Sequence, residues 1–253
     1  MNHPMILKKT TTGNFKAQGS FQEALGLSSH TDGPCVITVV GAGGKTTLIE
    51  TLAEELKSKG KHVLVVTTTH MEAHPRYRVL SGHMDDILTM RDSCGICYAG
   101  TPAGPQSMKW LGDTLYRALL PKFDYVLNEG DGAKRHPFKT PASYEPVLLD
   151  ETDLVLVVAG MRAIDRPLSE ACFRYELLGM PDHSVYWEST QEFQGYQTLT
   201  VPLAATILKN GYGHLPYPKF YILNQADSTS RIASAKEMAA LLDPVLITSL
   251  LPS

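Results

Sequence analysis

Two short stretches of this chain carry residue types whose spacing could do chemistry. The first is Gly41-Ala42-Gly43-Gly44-Lys45-Thr46-Thr47. Backbone N–H groups of a glycine loop and the positive end of a following helix can face an anion. A lysine beside them neutralises phosphate charge, and a threonine hydroxyl can address a phosphate-bound Mg²⁺. The second is Glu129-Gly130-Asp131-Gly132. There one carboxylate can organise Mg²⁺ or its water while the other orients an attacking group. A spacing of two puts both side chains on one face of an extended segment.

The glycine loop departs from the usual G-x-x-x-x-G-K-[ST] pattern, because Val39 stands where the first glycine belongs. What remains, G-x-x-G-K-T, arises by chance in roughly 1% of chains of this length on average composition. Three further stretches could serve the same chemistry. In Thr67-Thr68-Thr69-His70-Met71, a hydroxyl such as that of Thr69 can hold a phosphate oxygen or a metal-bound water. His70 is open between donor, ligand and solvated strand end. Lys134-Arg135-His136-Pro137-Phe138-Lys139 suits a loop that contacts an anion, with Pro137 and Pro141 holding Lys139 in an extended frame.

Asn224-Gln225-Ala226-Asp227 resembles the N-K-x-D base-reading element of GTP-binding proteins, with Gln225 in place of lysine. A carboxylate there can accept from guanine N1–H and N2–H₂, which adenine does not offer, so Asn224 and Asp227 are candidate base contacts. The missing lysine leaves ATP and GTP both open. Asp165 and Arg174 are either site residues or ordinary surface charges. Cys94-Gly95-Ile96-Cys97 lacks the second pair that would complete a zinc site.

These candidates need elements to position them. Val36–Val40 is β-branched and apolar, the pattern of a short buried strand. After the loop, Leu48, Ile49, Leu52, Ala53 and Leu56 mark one helical face and Gly60 a stop. His62–Thr69 is the next strand, making a β-α-β unit whose handedness places both strands parallel in one sheet. Further strands are expected at Gly95–Ala99, Phe123–Asn128, Asp153–Gly160, Lys219–Leu223 and Pro244–Leu250. Helices are expected at Met84–Met90, Trp110–Leu120, through Arg174 and Leu178, at Leu199–Lys209 and at Ile232–Leu242. Thr101–Pro105 reads as a loop. Residues 1–33 read as a polar, irregular lead with one short helix around Ser20–Leu27, and residues 34–253 as a single nucleotide-binding domain. The candidate residues all fall at strand ends, the edge where ligands bind in open parallel sheets.

A chain of 253 residues can bury a full core as one α/β domain. Its 43% apolar and 19% charged content is globular, and a net charge of −3 with scattered basic residues offers no nucleic-acid footprint. Four cysteines are too few for a disulfide scaffold, and neither a secretory signal nor a membrane-length apolar run is evident. A cytoplasmic location is the expectation.

The order phosphate loop, threonine-rich strand end, acidic strand end and N-x-x-D is similar to that of P-loop nucleoside-triphosphate-binding domains. The implied fold is α/β: a three-layer, mostly parallel sheet with helices on both faces. More narrowly, the chain resembles the YqeC-like proteins, accessory factors for selenium-dependent molybdenum hydroxylases. That resemblance rests on the motifs above together with Ala133, Pro137, Lys139, Pro141, Glu145-Pro146, Gly160, Asp165, Pro167-Leu168 and Arg174. It implies a Mg²⁺-dependent protein that binds ATP or GTP, an NTPase or phosphotransferase acting in maturation of a molybdenum hydroxylase. The nucleotide would lie on Gly41–Thr47, Thr69, Lys139, Asn224 and Asp227. Lys45, Glu129 and Asp131 would carry the chemistry, and Thr46, Glu129 and Asp131 the metal. The alternative is a non-catalytic, nucleotide-gated switch or chaperone that hands over a metal cofactor. A dinucleotide-binding oxidoreductase fits less well, because Thr46 stands where its third glycine or alanine belongs.

Overall fold

In the computed structural model, residues 4–27, 33–178 and 197–250 are described. Along the chain run β1 (Met5–Lys9), β2 (Phe15–Ala17), α1 (Phe21–Leu25), β3 (Cys35–Gly41), α2 (Lys45–Ser58), β4 (Val63–Thr67) and β5 (His70–Glu72). Next come β6 (Arg78–Val79), α3 (Met84–Cys94), β7 (Ile96–Ala99), β8 (Thr101–Pro102), β9 (Ser107–Lys109), α4 (Asp113–Leu119) and β10 (Tyr125–Glu129). The remainder is β11 (Phe138–Lys139), β12 (Leu154–Gly160), α5 (Leu168–Ala171), β13 (Cys172–Phe173), α6 (Val201–Tyr212), β14 (Lys219–Asn224), α7 (Thr229–Leu241) and β15 (Val245–Ser249).

Ten strands form the main sheet in the order β2-β1-β15-β14-β12-β3-β10-β4-β7-β6. From β15 to β6 every pairing is parallel. The two strands joined by α2 are therefore parallel but not adjacent, because β10 lies between them. The chain fills the sheet on the β10 and β4 side of β3 before crossing to β12, β14 and β15. That reversal beside β3 is the switch point at which parallel sheets leave a crevice for ligands.

Period-two alternation splits each central strand between two faces. Ile37 and Val39 of β3 pack with Leu48, Ile49, Leu52 and Leu56 of α2 and with Phe21 and Ala24 of α1. Val40 and the odd-numbered residues of β12 face α6 and α7. Val36, Leu64, Val66 and Val126 face α3 and α4. The α2 stripe is wholly buried, and each such aliphatic side chain contributes roughly 1.5–3 kcal/mol on burial. The fold is thus the expected three-layer α/β arrangement, with helices on both faces of a mostly parallel sheet.

Three local expectations are corrected. The lead is not irregular outside its helix: β1 and β2 form an antiparallel extension of the sheet beyond β15. Alternation along Met-Ile-Leu-Lys-Lys is weak because only Ile6 is fully buried, so the strand is carried by its register. Thr101–Pro102 is a strand of a small second sheet, β5-β9-β8. A helix through Arg174 and Leu178 does not form. Helix α5 ends at Ala171, and Arg174 takes a left-handed φ of 60° before a single 3₁₀ turn. The lead's own helix is as expected, with the Ser20 hydroxyl accepting from Glu23 N–H. The Glu55 carboxylate accepts from Phe21 and Gln22 N–H, tying it to α2.

Candidate functional site

The loop between β3 and α2 owes its glycines to contact as much as to torsion. Gly41, Gly43 and Gly44 have φ of 91°, 84° and 118°, a region that disfavours side chains. A Cβ on Gly41 would lie 2.2 Å from the Val158 carbonyl oxygen, and one on Gly43 2.4 Å from Gly160 Cα. One on Gly44 would meet the Asn224 amide at 2.4 Å. The loop is therefore pressed onto the ends of β12 and β14. Ala42 N–H donates to Val158 (2.9 Å) and Asn224 Nδ2 to the Gly43 carbonyl (2.9 Å). Val39, at the missing first glycine, is an interior residue of β3. The loop is shorter because the strand runs further.

Helix α2 begins at Lys45. Its ammonium donates to the Gly41 carbonyl (2.8 Å) and lies 2.9 Å from Asp131 Oδ1 and 4.0 Å from Glu129 Oε1. Burial opposes a charge here, but Asp131 and Glu129 together raise its pKa above the ordinary value. Both carboxylates thus reach Lys45, and there their environments diverge.

Asp131 is saturated. Both its oxygens accept from Gly41 N–H (3.0 Å each), and it also meets Lys45, Lys139 (3.0 Å) and the Tyr212 hydroxyl (3.0 Å). Burial alone would raise its pKa, but Lys45, Lys139 and the Gly41 N–H hold it below the usual carboxylate range. Among the described residues, Glu129 accepts only the Thr46 hydroxyl, at a long 3.4 Å, as a side-chain hydrogen bond. Burial lifts its pKa to about 7; Lys45 opposes the rise and Asp131 adds to it. Asp131 braces the loop from beneath, and Glu129 faces the open side.

That open side is a cleft of about 600 Å³ at the carboxyl edge of the sheet. It is lined by Ala42–Thr47, Glu129, Gly132–Pro137, His70–Glu72, Arg162, Arg166 and Gln225. The structure therefore brings the glycine loop, Lys45, Thr46, Thr47, Glu129 and the basic loop together on one cavity.

Other candidate residues lie elsewhere. Lys139 is 2% exposed and donates to Gly132 O (2.7 Å) and Glu145 (2.7 Å) besides Asp131. Glu145 is also paired with Arg174, so these residues form a buried network behind the cleft. Thr69 does not line it; its N–H donates to the Thr67 hydroxyl (3.1 Å). Thr67 Oγ1 and Thr68 N–H in turn hold the Glu129 carbonyl (3.0 and 3.2 Å). Asn224, besides the Gly43 contact, accepts from the Thr248 hydroxyl (3.0 Å) and Leu250 N–H (3.3 Å). Asp227 pairs with Arg162 and Arg231. Both ends of the N-x-x-D element thus have protein partners, whereas the Gln225 Oε1 between them is buried without one among the described residues. Arg162 and Arg166 carry no recognisable motif and were not readable as site residues. Tyr212, the donor to Asp131, sits on α6 where it reads as core. The cysteines are free, and burial pushes Cys97 in β7 up to about 12.

Comparison with known proteins decides the family. The YqeC protein family matches residues 37–176, more than half of the chain and all of the loop, the acidic strand end and Arg174. The chain belongs to the YqeC family. A curated relative, uncharacterized protein YqeC of Escherichia coli (strain K12), is 31% identical over 142 residues. That match covers 54% of this chain and 56% of the relative, so the chain spans little more than half its length. Among solved structures, chloroplast FtsY from Physcomitrella patens superposes over 85% of this chain and 49% of its own, with TM-score 0.31 and 14% identity. The signal recognition particle receptor FtsY from Elizabethkingia anophelis in complex with GDP gives TM-score 0.31 and 14% identity over 85% and 48%. At those scores neither superposition bears on the YqeC chain's chemistry; its fold rests on the strand order above.

Proposed function

We propose that this YqeC-family protein binds a nucleoside triphosphate, ATP or GTP, by its phosphates in the cleft at β3 and α2. The observation that carries the reading is the convergence of Lys45, Thr46 and Glu129 at the mouth of the glycine loop. Loop N–H groups and the N-terminus of the fourteen-residue α2 supply a fixed positive potential for phosphate. The Lys45 ammonium has three protons, so in the folded-back position it already shares with Gly41 and Asp131 it keeps donor capacity for a phosphate oxygen.

The residues fit Mg²⁺. That ion is usually held by one or two protein oxygens together with water and phosphate oxygens. The Thr46 hydroxyl and Glu129 carboxylate, 3.4 Å apart on the cleft side of the loop, are such a pair. When bound, Mg²⁺ would supply charge neutralisation at the β- and γ-phosphate oxygens. Asp131, expected to share this work, is read instead as the group that positions Lys45 and Gly41. By its place on the cleft, the Glu129 carboxylate can also accept a proton from an attacking hydroxyl or water. This supports an NTPase or phosphotransferase. A role in maturing a selenium-dependent molybdenum hydroxylase rests on the family resemblance and completes the proposal.

Calorimetric titration with Mg-ATP and Mg-GTP tests the binding step. Lys45→Ala should weaken the preferred nucleotide at least tenfold, about 1.4 kcal/mol; an unchanged titration refutes the reading. Phosphate release that survives in Glu129→Gln would remove the chemistry from Glu129.

A further inference from the structure

We propose that the cleft also holds a second oxyanion, borne by a co-substrate, beside the nucleotide. This rests on the nucleotide reading of the same cavity and adds its partner.

The phosphate loop, Lys45 and Thr46 meet the needs of a triphosphate, yet the cleft is lined by further cations. Lys134 and Arg135 come from the segment behind Gly132, and Arg162 and Arg166 from the turn after β12. Four formal positive charges converge here in a chain whose net charge is −3. Three of them rest on carboxylates at the surface: Arg135 on Glu72 (3.4 Å), Arg166 on Glu170 (2.9 Å) and Arg162 on Asp227. Exposed pairs of this kind contribute little to stability. Each guanidinium can therefore exchange or share its partner with an arriving oxyanion, for which its planar fork is suited.

The backbone is strained in the same places. Lys134 and Arg135 are consecutive non-glycine residues with positive φ (44° and 62°), and Gln225 has φ 62°. Such conformations are unfavourable for residues with a side chain and persist where surrounding structure imposes them. Here they aim charged or polar side chains at one cavity. Gln225 lines that cavity too, with its Oε1 buried beside Gly160. Finally, a groove of about 510 Å³ over β5 and the β8–β9 turn shares His70, Met71, Glu72 and Arg135 with the cleft. It leaves room for the rest of a second molecule past the Arg135–Glu72 pair. The class that meets both demands, charge and room, is a small phosphate ester or a carboxylate such as a hydroxy acid.

The test loads the full chain with a non-hydrolysable Mg-triphosphate analogue. Inorganic phosphate is then titrated calorimetrically and, in a separate arm, lactate. Saturable binding of either anion is expected, and which one binds tells phosphate ester from hydroxy acid. R162A/R166A should weaken that binding at least tenfold while changing nucleotide affinity less than threefold, and K134A/R135A should weaken it at least tenfold. These positions are exposed, and melting curves matching wild type will show that the variants fold. Absence of saturable binding by both anions, competition with the analogue in place of joint occupancy, or a loss of nucleotide affinity as large as that of K45A would each overturn the proposal. If wild type takes up no nucleotide, the reading of the loop fails, and titration of the free protein with the same anions still decides the second site.

Discussion

The two carboxylates at the end of β10 look alike in sequence and should respond oppositely to neutralisation. Asp131→Asn removes the counter-charge shared by Lys45 and Lys139, which are 5% and 2% exposed. It also sets an NH₂ donor among Gly41 N–H, two ammonium groups and the Tyr212 hydroxyl. Breaking a buried pair in this way costs about 3–5 kcal/mol, which for a chain of this size lowers the melting temperature by roughly 6–20 °C. Glu129→Gln removes a charge that burial already disfavours. Its carboxyl pKa is raised from 4.5 to about 7 on folding. The native state therefore holds a proton that the unfolded state has released between those values. The stabilisation this gives is fully present below pH 4.5 and is lost as pH rises through 7. By pH 8 the ionised, buried Glu129 costs wild type of order 3 kcal/mol.

The amide variant is spared that loss. Its melting temperature should match wild type near pH 4 and exceed it by roughly 6–12 °C at pH 8. Thermal unfolding of wild type and both variants, followed by circular dichroism at pH 4, 6 and 8 without nucleotide, is the assay. A Glu129→Gln difference that does not grow with pH, or an Asp131→Asn variant that melts like wild type, refutes the division of labour between them.

Tyr212→Phe deletes a 3.0 Å hydrogen bond to a buried carboxylate and should cost about 1.5–3 kcal/mol, read from the urea midpoint. An unchanged midpoint would mean that Asp131 does not need its fourth donor. Asn224→Ala leaves the Gly43 carbonyl and the Thr248 hydroxyl without their side-chain partner. Nucleotide affinity should fall by the same factor for Mg-ATP and Mg-GTP; a loss confined to one base would restore Asn224 as a base contact. Gly43→Ala places a Cβ 2.4 Å from Gly160 Cα at φ 84°. Nucleotide binding should be abolished in titration, and retention of wild-type affinity would show that the loop can move off β12.

Much of the architecture was legible because the signals were local. Apolar β-branched runs gave β3, β4, β10, β12 and β14, and the stripe from Leu48 to Leu56 gave α2, each readable from a few neighbouring residues. The exceptions were non-local in origin. Residues 5–17 alternate too weakly to announce a strand and depend on pairing with β15. The helix projected through Arg174 stops because Arg174 is drawn to Glu145, a partner 29 residues earlier.

For the site, the sequence by itself determined the inventory: a glycine loop, Lys45, Thr46 and Glu129, brought to one edge because strand ends in a parallel sheet share an edge. Tertiary structure alone decided which of the candidates face a ligand. Asp131, Lys139, Asn224 and Asp227 are all engaged by protein groups. Their partners come from Tyr212, Glu145, Thr248 and Arg162, of which only Glu145 is near in the chain to the residue it engages. No pattern of spacing records that, because a buried charge is satisfied by whatever packs against it, and what packs against it is set by the order of strands. The same order, with β12 laid directly against the loop, turns a departure from the usual glycine pattern into a steric requirement.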